Sequence, residues 1–391
     1  MRQKTGYLPS LDGWRALAVI GVVLTHDQGG KFPFHVLERF RDIGFVGVDL
    51  FFAISGVLVT WRILEDEKTR GSFRIKSFYV RRFFRIQPAA WTYLGVLAIL
   101  MLCGALQEKW SRWFGALFLF RNFQAHWANR VAELGLGWFS AHFWTLSLEE
   151  HFYILLSIFI LTVRRNRAAV LFILLFGLIV GQQIAIRHGL FSDDVSGGRT
   201  YWQIQYLFFG AFLSILLQLE WFRQHAVRWL RPWLVFVAGF LFLEVHSYVA
   251  NAHLPGPFNL IGEHSSNIAY LFAFCVVATM LHPGSWTTRF LELSPLRFIG
   301  RISYSLYLWQ QIVFHSSSPE TVVRWRPLVW AGGRPQNYLV LFALALLSYF
   351  CIEKPFVRLG HKLAPPSTPG HRDLDVSSLP RSAPAIPSLM A

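Results

Sequence analysis

Charge is scarce in this chain: 15% of its 391 residues are charged, whereas 54% are hydrophobic and 17% aromatic. With a mean hydropathy of +0.39, that balance excludes an ordinary water-soluble domain. Cysteine is scarcer still. Cys103, Cys275 and Cys351 are odd in number and each lies in an apolar run, so there is neither a disulfide framework nor the ligand spacing of a metal site. Acidic residues number 22 against 37 Lys plus Arg, a formal charge of +15. Such an excess suits nucleic acid when it gathers on one polar patch, but here the basic residues flank hydrophobic runs. That placement points to membrane topology signals and anionic lipid headgroups, and away from nucleic acid. No repeat at a fixed period is visible, which excludes a solenoid and gives no sign of tandem halves.

What the chain has in abundance is long apolar runs. Ten stretches read as candidate membrane spans, at about 13–26, 44–61, 89–106, 143–163, 168–186, 203–219, 232–249, 266–281, 298–314 and 337–352. The expected fold is therefore all-α, a polytopic bundle of about ten transmembrane helices. The segment 110–120 reads as a re-entrant or interfacial piece. The N-terminus has basic residues before an apolar stretch, as a signal peptide does, but Asp12 and Arg15 interrupt it and no small-x-small cleavage site follows, so it reads as a retained first helix. With both termini placed in the cytoplasm, 23 Lys and Arg fall on inside segments and 12 on outside loops, the bias expected of that orientation. Residues 1–362 read as one membrane domain, and the Pro- and Ser-rich tail 363–391 as a disordered cytoplasmic extension.

Several polar residues inside this apolar frame need a reason to be there. Arg15 and His26 are eleven residues apart, and eleven helical steps of ~100° bring the second to within ~20° of the first while climbing about 16 Å. They share a face, as a path for a long anionic donor with a base at its far end requires; snorkelling of Arg15 to headgroups and capping by His26 explain the spacing equally well. An imidazole there can serve as general base or as nucleophile. In FYVRRFFRIQPA, Arg81, Arg82 and Arg85 stand just before the third span, and Arg82 and Arg85, at i and i+3, can converge on one phosphate, whether of a lipid headgroup or of acyl-CoA. Glu149, Glu150 and His151 lie within a span, where carboxylates are tolerated when paired or functional. Ser55 and Gly56 end GVDLFFAISG and permit close helix packing with a hydroxyl inside. Tyr307, Trp309 and Gln310, in ISYSLYLWQQIV, are polar enough to line a cavity, although aromatics at this spacing also serve simple packing.

Taken in order, these segments resemble the acyltransferase-3 family of integral membrane O-acyltransferases that modify surface and secreted carbohydrates. LPSLDGWRALAVIGVVLTH is similar to its opening Arg-x10-His signature on Arg15 and His26, FFAISG to its FFxxSG motif, and RFFR to its RxxR motif. WTLSLEEHFY, SYSLYLW and IEKPF resemble later landmarks. The resemblance implies acyl-CoA, usually acetyl-CoA, engaged on the cytoplasmic side near Arg81, Arg82, Arg85 and Ser55. It also implies His26 as the essential catalytic group aided by Arg15, Glu149 and Glu150, and a carbohydrate or glycolipid acceptor near His151, Tyr307, Trp309 and Gln310. No metal is implied, and the setting is a bacterial inner membrane. The sequence departs from the family in having His151 where Gln is common and Gln310 where His is common, which suggests two facing positions that have exchanged side chains. A transporter using His26 and the glutamates as a proton relay is the rival reading from another class.

Overall fold

The computed structural model describes residues 7–27, 38, 41, 44, 46–124, 137–190, 199–252, 267–314 and 322–365. Among them the protein is all-helical; the sole extended pairing is an isolated antiparallel bridge between Leu106 and Val323. Helix α1, Pro9–His26, opens with proline at its first position, where a missing N–H costs nothing. Helices α2, Val46–Arg70, and α3, Ile75–Leu102, follow. The short α4, Trp110–Leu117, presents Trp110, Phe114 and then Phe118 outward, as an interfacial segment does. Next come α5, Phe143–Thr162; α6, Arg167–Arg187; α7, Thr200–Leu216; α8, Glu220–Trp229; α9, Pro232–Ala252; and α10, Asn267–Leu281. The short α11, Trp286–Leu291, α12, Ser294–Arg301, and α13, Ser303–Val313, lead to α14, Arg326–Ala331. Helix α15, Gln336–Ser348, passes through a π-helical turn into α16, Lys354–Leu363.

Each of the ten apolar stretches lies mainly on helix in its described residues. Among the described residues, five helices are long and apolar enough to cross a membrane, or six if α7 and α8, bent by 108° at their junction, form one broken span. The stretch 298–314 is not one helix but two, parted at Ile302. The third stretch also differs: it was expected from residue 89, but α3 begins at Ile75 and carries Arg81, Arg82 and Arg85 within its own first turns. The arginines lower the mean hydropathy there, yet Phe78, Phe84 and Ile86 keep an apolar pattern that holds the helix together. The basic stretch 62–88 is thus mostly two helix ends. Helix α2 runs on to Arg70, and Gly71, at φ 75°, supplies the left-handed residue that stops it. The tail beyond residue 365 lies outside the described residues.

Helix α2 is the hub, packed against α1, α7 and α10. Its Gly56 lies so close to the Leu207 carbonyl of α7 that a Cβ there would overlap it, and Ser214 donates to the Val57 carbonyl at 2.7 Å beside that contact. Close approach through a small residue is how helices associate where lipid removes the hydrophobic drive. The opposite case is α6, where Phe172, Ile173, Leu174 and Phe176 are more than half exposed, the surface expected to meet acyl chains. At one end of the bundle, Arg167 grips Glu67 through two bonds of 2.5 and 2.9 Å, fixing the start of α6 to the end of α2.

Candidate active site

A cavity of about 110 Å³ opens where α1, α2, α3, α5 and α13 converge. At one end it is lined by Arg15 of α1 and by Arg82 and Arg85 of α3. The i, i+3 spacing puts both α3 arginines on the inner face. Arg82 lies over the Tyr153 ring at 4.6 Å, a cation–π contact, and its Nη1 donates to the Tyr153 hydroxyl at 3.3 Å. The carboxylate facing this group is Glu149, whose oxygens accept from Ser55 Oγ at 2.7 Å and from the Tyr153 hydroxyl at 3.0 Å. Its lone pairs are therefore directed to hydroxyls rather than to a guanidinium. Arg15 has a 3.5 Å contact with Asp12, and among the described residues Arg82 and Arg85 form no ion pair. Arg15 interacts electrostatically with Arg82, Arg85 and Glu149, and Glu353 of the π turn with Arg15 and Arg85. The result is a concave surface with more positive than negative charge, suited to an anion such as phosphate.

The other end is made by the turn that precedes α5. Tyr93 donates to the Phe139 carbonyl at 2.5 Å, and Glu108 accepts from Phe139 N at 3.1 Å and Ser140 Oγ at 2.5 Å. Arg121 Nη2 donates to the Gly137 carbonyl at 3.0 Å. Burial pushes the Glu108 carboxyl up to about 7, with Ser140, Arg121 and the turn's N–H groups pulling the other way. This bracing sets His142, which lines the cavity with Thr145 and Tyr307, both of whose hydroxyls donate to its carbonyl, at 3.0 and 3.2 Å. Gln311 Oε1 accepts from His142 N at 3.0 Å and faces ring Nδ1 at 2.5 Å. An amide oxygen that accepts one N–H is an acceptor for the second, so neutral His142 carries its proton on Nδ1. Its Nε2 is buried without a hydrogen-bond partner. Burial holds this imidazole down at about 3.

His26 sits at this same end, behind the cavity wall rather than in it. Its Nδ1 donates to the Val22 carbonyl at 2.7 Å, and its ring meets Trp138 edge-on at 5.7 Å. Trp138 Nε1 in turn donates to the Gln311 carbonyl at 3.1 Å, so Gln311 contacts His142 directly and His26 through one indole. The two imidazoles are close enough for their charges to interact. Asp27, next in sequence, turns to Arg334 Nε at 2.7 Å and the Tyr338 hydroxyl at 2.5 Å and so anchors the end of α1.

Of the residues singled out from sequence, the cavity brings together Arg15, Ser55, Arg82, Arg85, Glu149 and Tyr307. Tyr307 shares a 2.7 Å bond with Thr145 Oγ1. Arg81 does not line it and instead pairs with Asp66 at 2.9 Å. Glu150 is outside the lining but interacts with Arg82. His151 Nδ1 bonds Thr200 Oγ1 at 2.7 Å beside the Phe123 ring. Trp309 packs on Tyr93 at 5.4 Å, and Gln310 is enclosed with both amide atoms unpartnered. His151 and Gln310 thus have different surroundings and form no bond with each other. Sequence reasoning passed over His142, Gln311, Tyr153 and Glu108. His142 opens the quoted stretch HFWTLSLEEHFY, and an imidazole at the mouth of a span was the available signal.

The family described as Acyltransferase domain, the acyltransferase-3 group, has a sequence model that matches residues 8–353, from just before α1 to the π turn. The chain belongs to this family. A Staphylococcus aureus (strain COL) protein provisionally named an O-acetyltransferase is 27% identical over 92% of this chain and 59% of its own length. Peptidoglycan O-acetyltransferase OatA of Listeria monocytogenes is 26% identical over 92% of this chain and 57% of its own. The chain spans under two thirds of the length of these curated relatives. No solved structure matches it.

Proposed function

We propose that this acyltransferase-3 protein is a membrane O-acetyltransferase that moves an acetyl group from acetyl-CoA, taken from the cytoplasm, to a hydroxyl of a cell-envelope carbohydrate. The observation that carries the reading is the convergence of Arg15, Arg82 and Arg85, from two helices far apart in sequence, on one cavity that extends to His142 and Tyr307. Arg15, Arg82 and Arg85 hold the donor's phosphates, with Ser55 and Glu149 fixing the wall between them. The thioester then lies among Thr145, Tyr307 and His142, and the hydroxyls of Thr145 and Tyr307, which donate to the His142 carbonyl at 3.0 and 3.2 Å, turn from it to donate to the oxyanion that forms at the acyl carbon. The acceptor approaches from the end where His26 sits, and His26 Nε2, left free because Nδ1 is held by Val22, takes the proton of the attacking hydroxyl. Enclosure among apolar helices keeps water from the thioester. In this reading the arginine end faces the cytoplasm, both termini lie there, and all ten helical stretches contribute to a ten-crossing bundle in a bacterial inner membrane. The relative named for peptidoglycan favours an envelope polymer as acceptor. The test is mass spectrometry of envelope glycans from cells with and without the protein. An acetyl mass present only with the protein is the expected result; identical glycans overturn the reading.

A further inference from the structure

The mechanism above uses one imidazole, His26, yet a different one faces the cavity. His142 is 4% exposed, it lines the cavity beside Tyr307, and its Nε2 is buried without a hydrogen-bond partner among the described residues. Gln311 accepts from both the backbone N–H and Nδ1 of His142, which fixes the ring's orientation with the proton on Nδ1, while the Leu308 carbonyl also lies near the ring. Tyr93 and Tyr307 clasp the ring edge-on at 5.1 and 5.7 Å, so it has little freedom to turn. His26 lies one layer behind, against Trp138. The two imidazoles are thereby divided, one toward the donor and one away from it.

We infer that His142 is a nucleophilic catalytic residue that carries the acyl group between donor and acceptor. The inference rests on the acyl-CoA reading of the same cavity. In the first half-reaction the Nε2 lone pair of neutral His142 attacks the thioester carbonyl carbon; the C–N bond forms, the C–S bond breaks, and CoA leaves as a thiolate beside Thr145 and Tyr307 while Arg15, Arg82 and Arg85 keep hold of its phosphates. The acyl-imidazolium keeps its proton on Nδ1, where Gln311 Oε1 accepts it. In the second, the acceptor oxygen attacks the acyl carbon; the C–O bond forms and the C–N pair returns to Nε2. The hydroxyl proton passes to His26 and then to solvent, matching the proton the thiolate takes up. A covalent carrier suits an enzyme whose two substrates arrive from opposite faces, because they need never meet.

The test is isotope exchange. Purified full-length protein in lipid vesicles is given acetyl-CoA and labelled CoA with no acceptor, and label appearing in acetyl-CoA reports the first half-reaction running both ways. Wild type is expected to exchange. His142→Asn, whose amide can still donate to Gln311, is expected to lose at least ~100-fold of the exchange rate while binding acetyl-CoA within about twofold of wild type. Rapid quench of wild type should yield the peptide containing residue 142 with one added acetyl group. Exchange that survives in His142→Asn overturns the inference. So does wild type that transfers acetyl to an acceptor without exchange and without label on that peptide, an outcome that leaves the proposed function standing. Wild type that neither exchanges nor transfers refutes the acyl-CoA reading itself.

Discussion

The two ends of the cavity are built in opposite ways. The arginine end takes its side chains from helices that start far apart in sequence and leaves charge without matching charge: Glu149 is committed to Ser55 and Tyr153, and neither Arg82 nor Arg85 has an ion pair among the described residues. The histidine end comes from one turn, held by Tyr93, Glu108, Arg121 and Gln311 before any substrate arrives. Three half-buried guanidiniums facing one cavity repel one another, and an anion bound among them relieves that repulsion. Burying a neutral imidazole with one nitrogen unpartnered costs about 1–3 kcal/mol, and the brace around it fixes the position of that nitrogen. One end is thus made to receive, the other to react.

The largest effect expected from this division is at the reacting end. His26→Ala should abolish transfer, a loss of ~10²–10⁴-fold in kcat for a general base, with folded protein in the membrane unchanged and donor KM nearly so. Retained turnover would remove His26 from the chemistry. At the receiving end the signature reverses. Arg82→Ala with Arg85→Ala deletes two charge-assisted contacts worth about 1.5–3 kcal/mol each, so donor KM should rise at least ~10-fold while acceptor KM stays put. A rise confined to acceptor KM would place the acceptor, not CoA, at the arginines.

How much of this contrast the sequence reveals depends on whether its parts are local. Arg15 with His26, and Arg82 with Arg85, are pairs on single helices, and helical periodicity alone aligns them. The apolar runs likewise find helix at each of the ten stretches, but not the short α8, α11, α14 and α16 between and after them. The start of α3 at Ile75 escapes a hydropathy reading, because a helix that brings arginines to an internal cavity lowers its own apolar average just where it matters. His142 escapes for a different reason. Its significance comes from Gln311 on α13, far along the chain, and no local pattern announces that a buried imidazole has one nitrogen held and the other free. Gln310, the neighbour that sequence reading favoured, points into the core instead.

The smallest effect is on the brace. Glu108 is held above its ordinary carboxyl value of 4.5, at about 7, so between these values the folded protein binds more protons than the unfolded chain. Its contribution to stability therefore falls as pH rises through that window. Glu108→Gln cannot ionise, and the pH dependence of its thermal unfolding midpoint between about pH 4.5 and 7 should be flatter than that of wild type. An unchanged slope would mean that Glu108 does not set the turn's response to pH.

The central claim is that the donor enters at the arginine end, from the cytoplasm. Membrane vesicles of defined orientation test it directly, with labelled acetyl-CoA added to the outside and acetylated envelope glycan as the product counted. Inverted vesicles, which expose the cytoplasmic face, should incorporate label, and sealed right-side-out vesicles should not. Equal incorporation by sealed right-side-out vesicles would contradict the account.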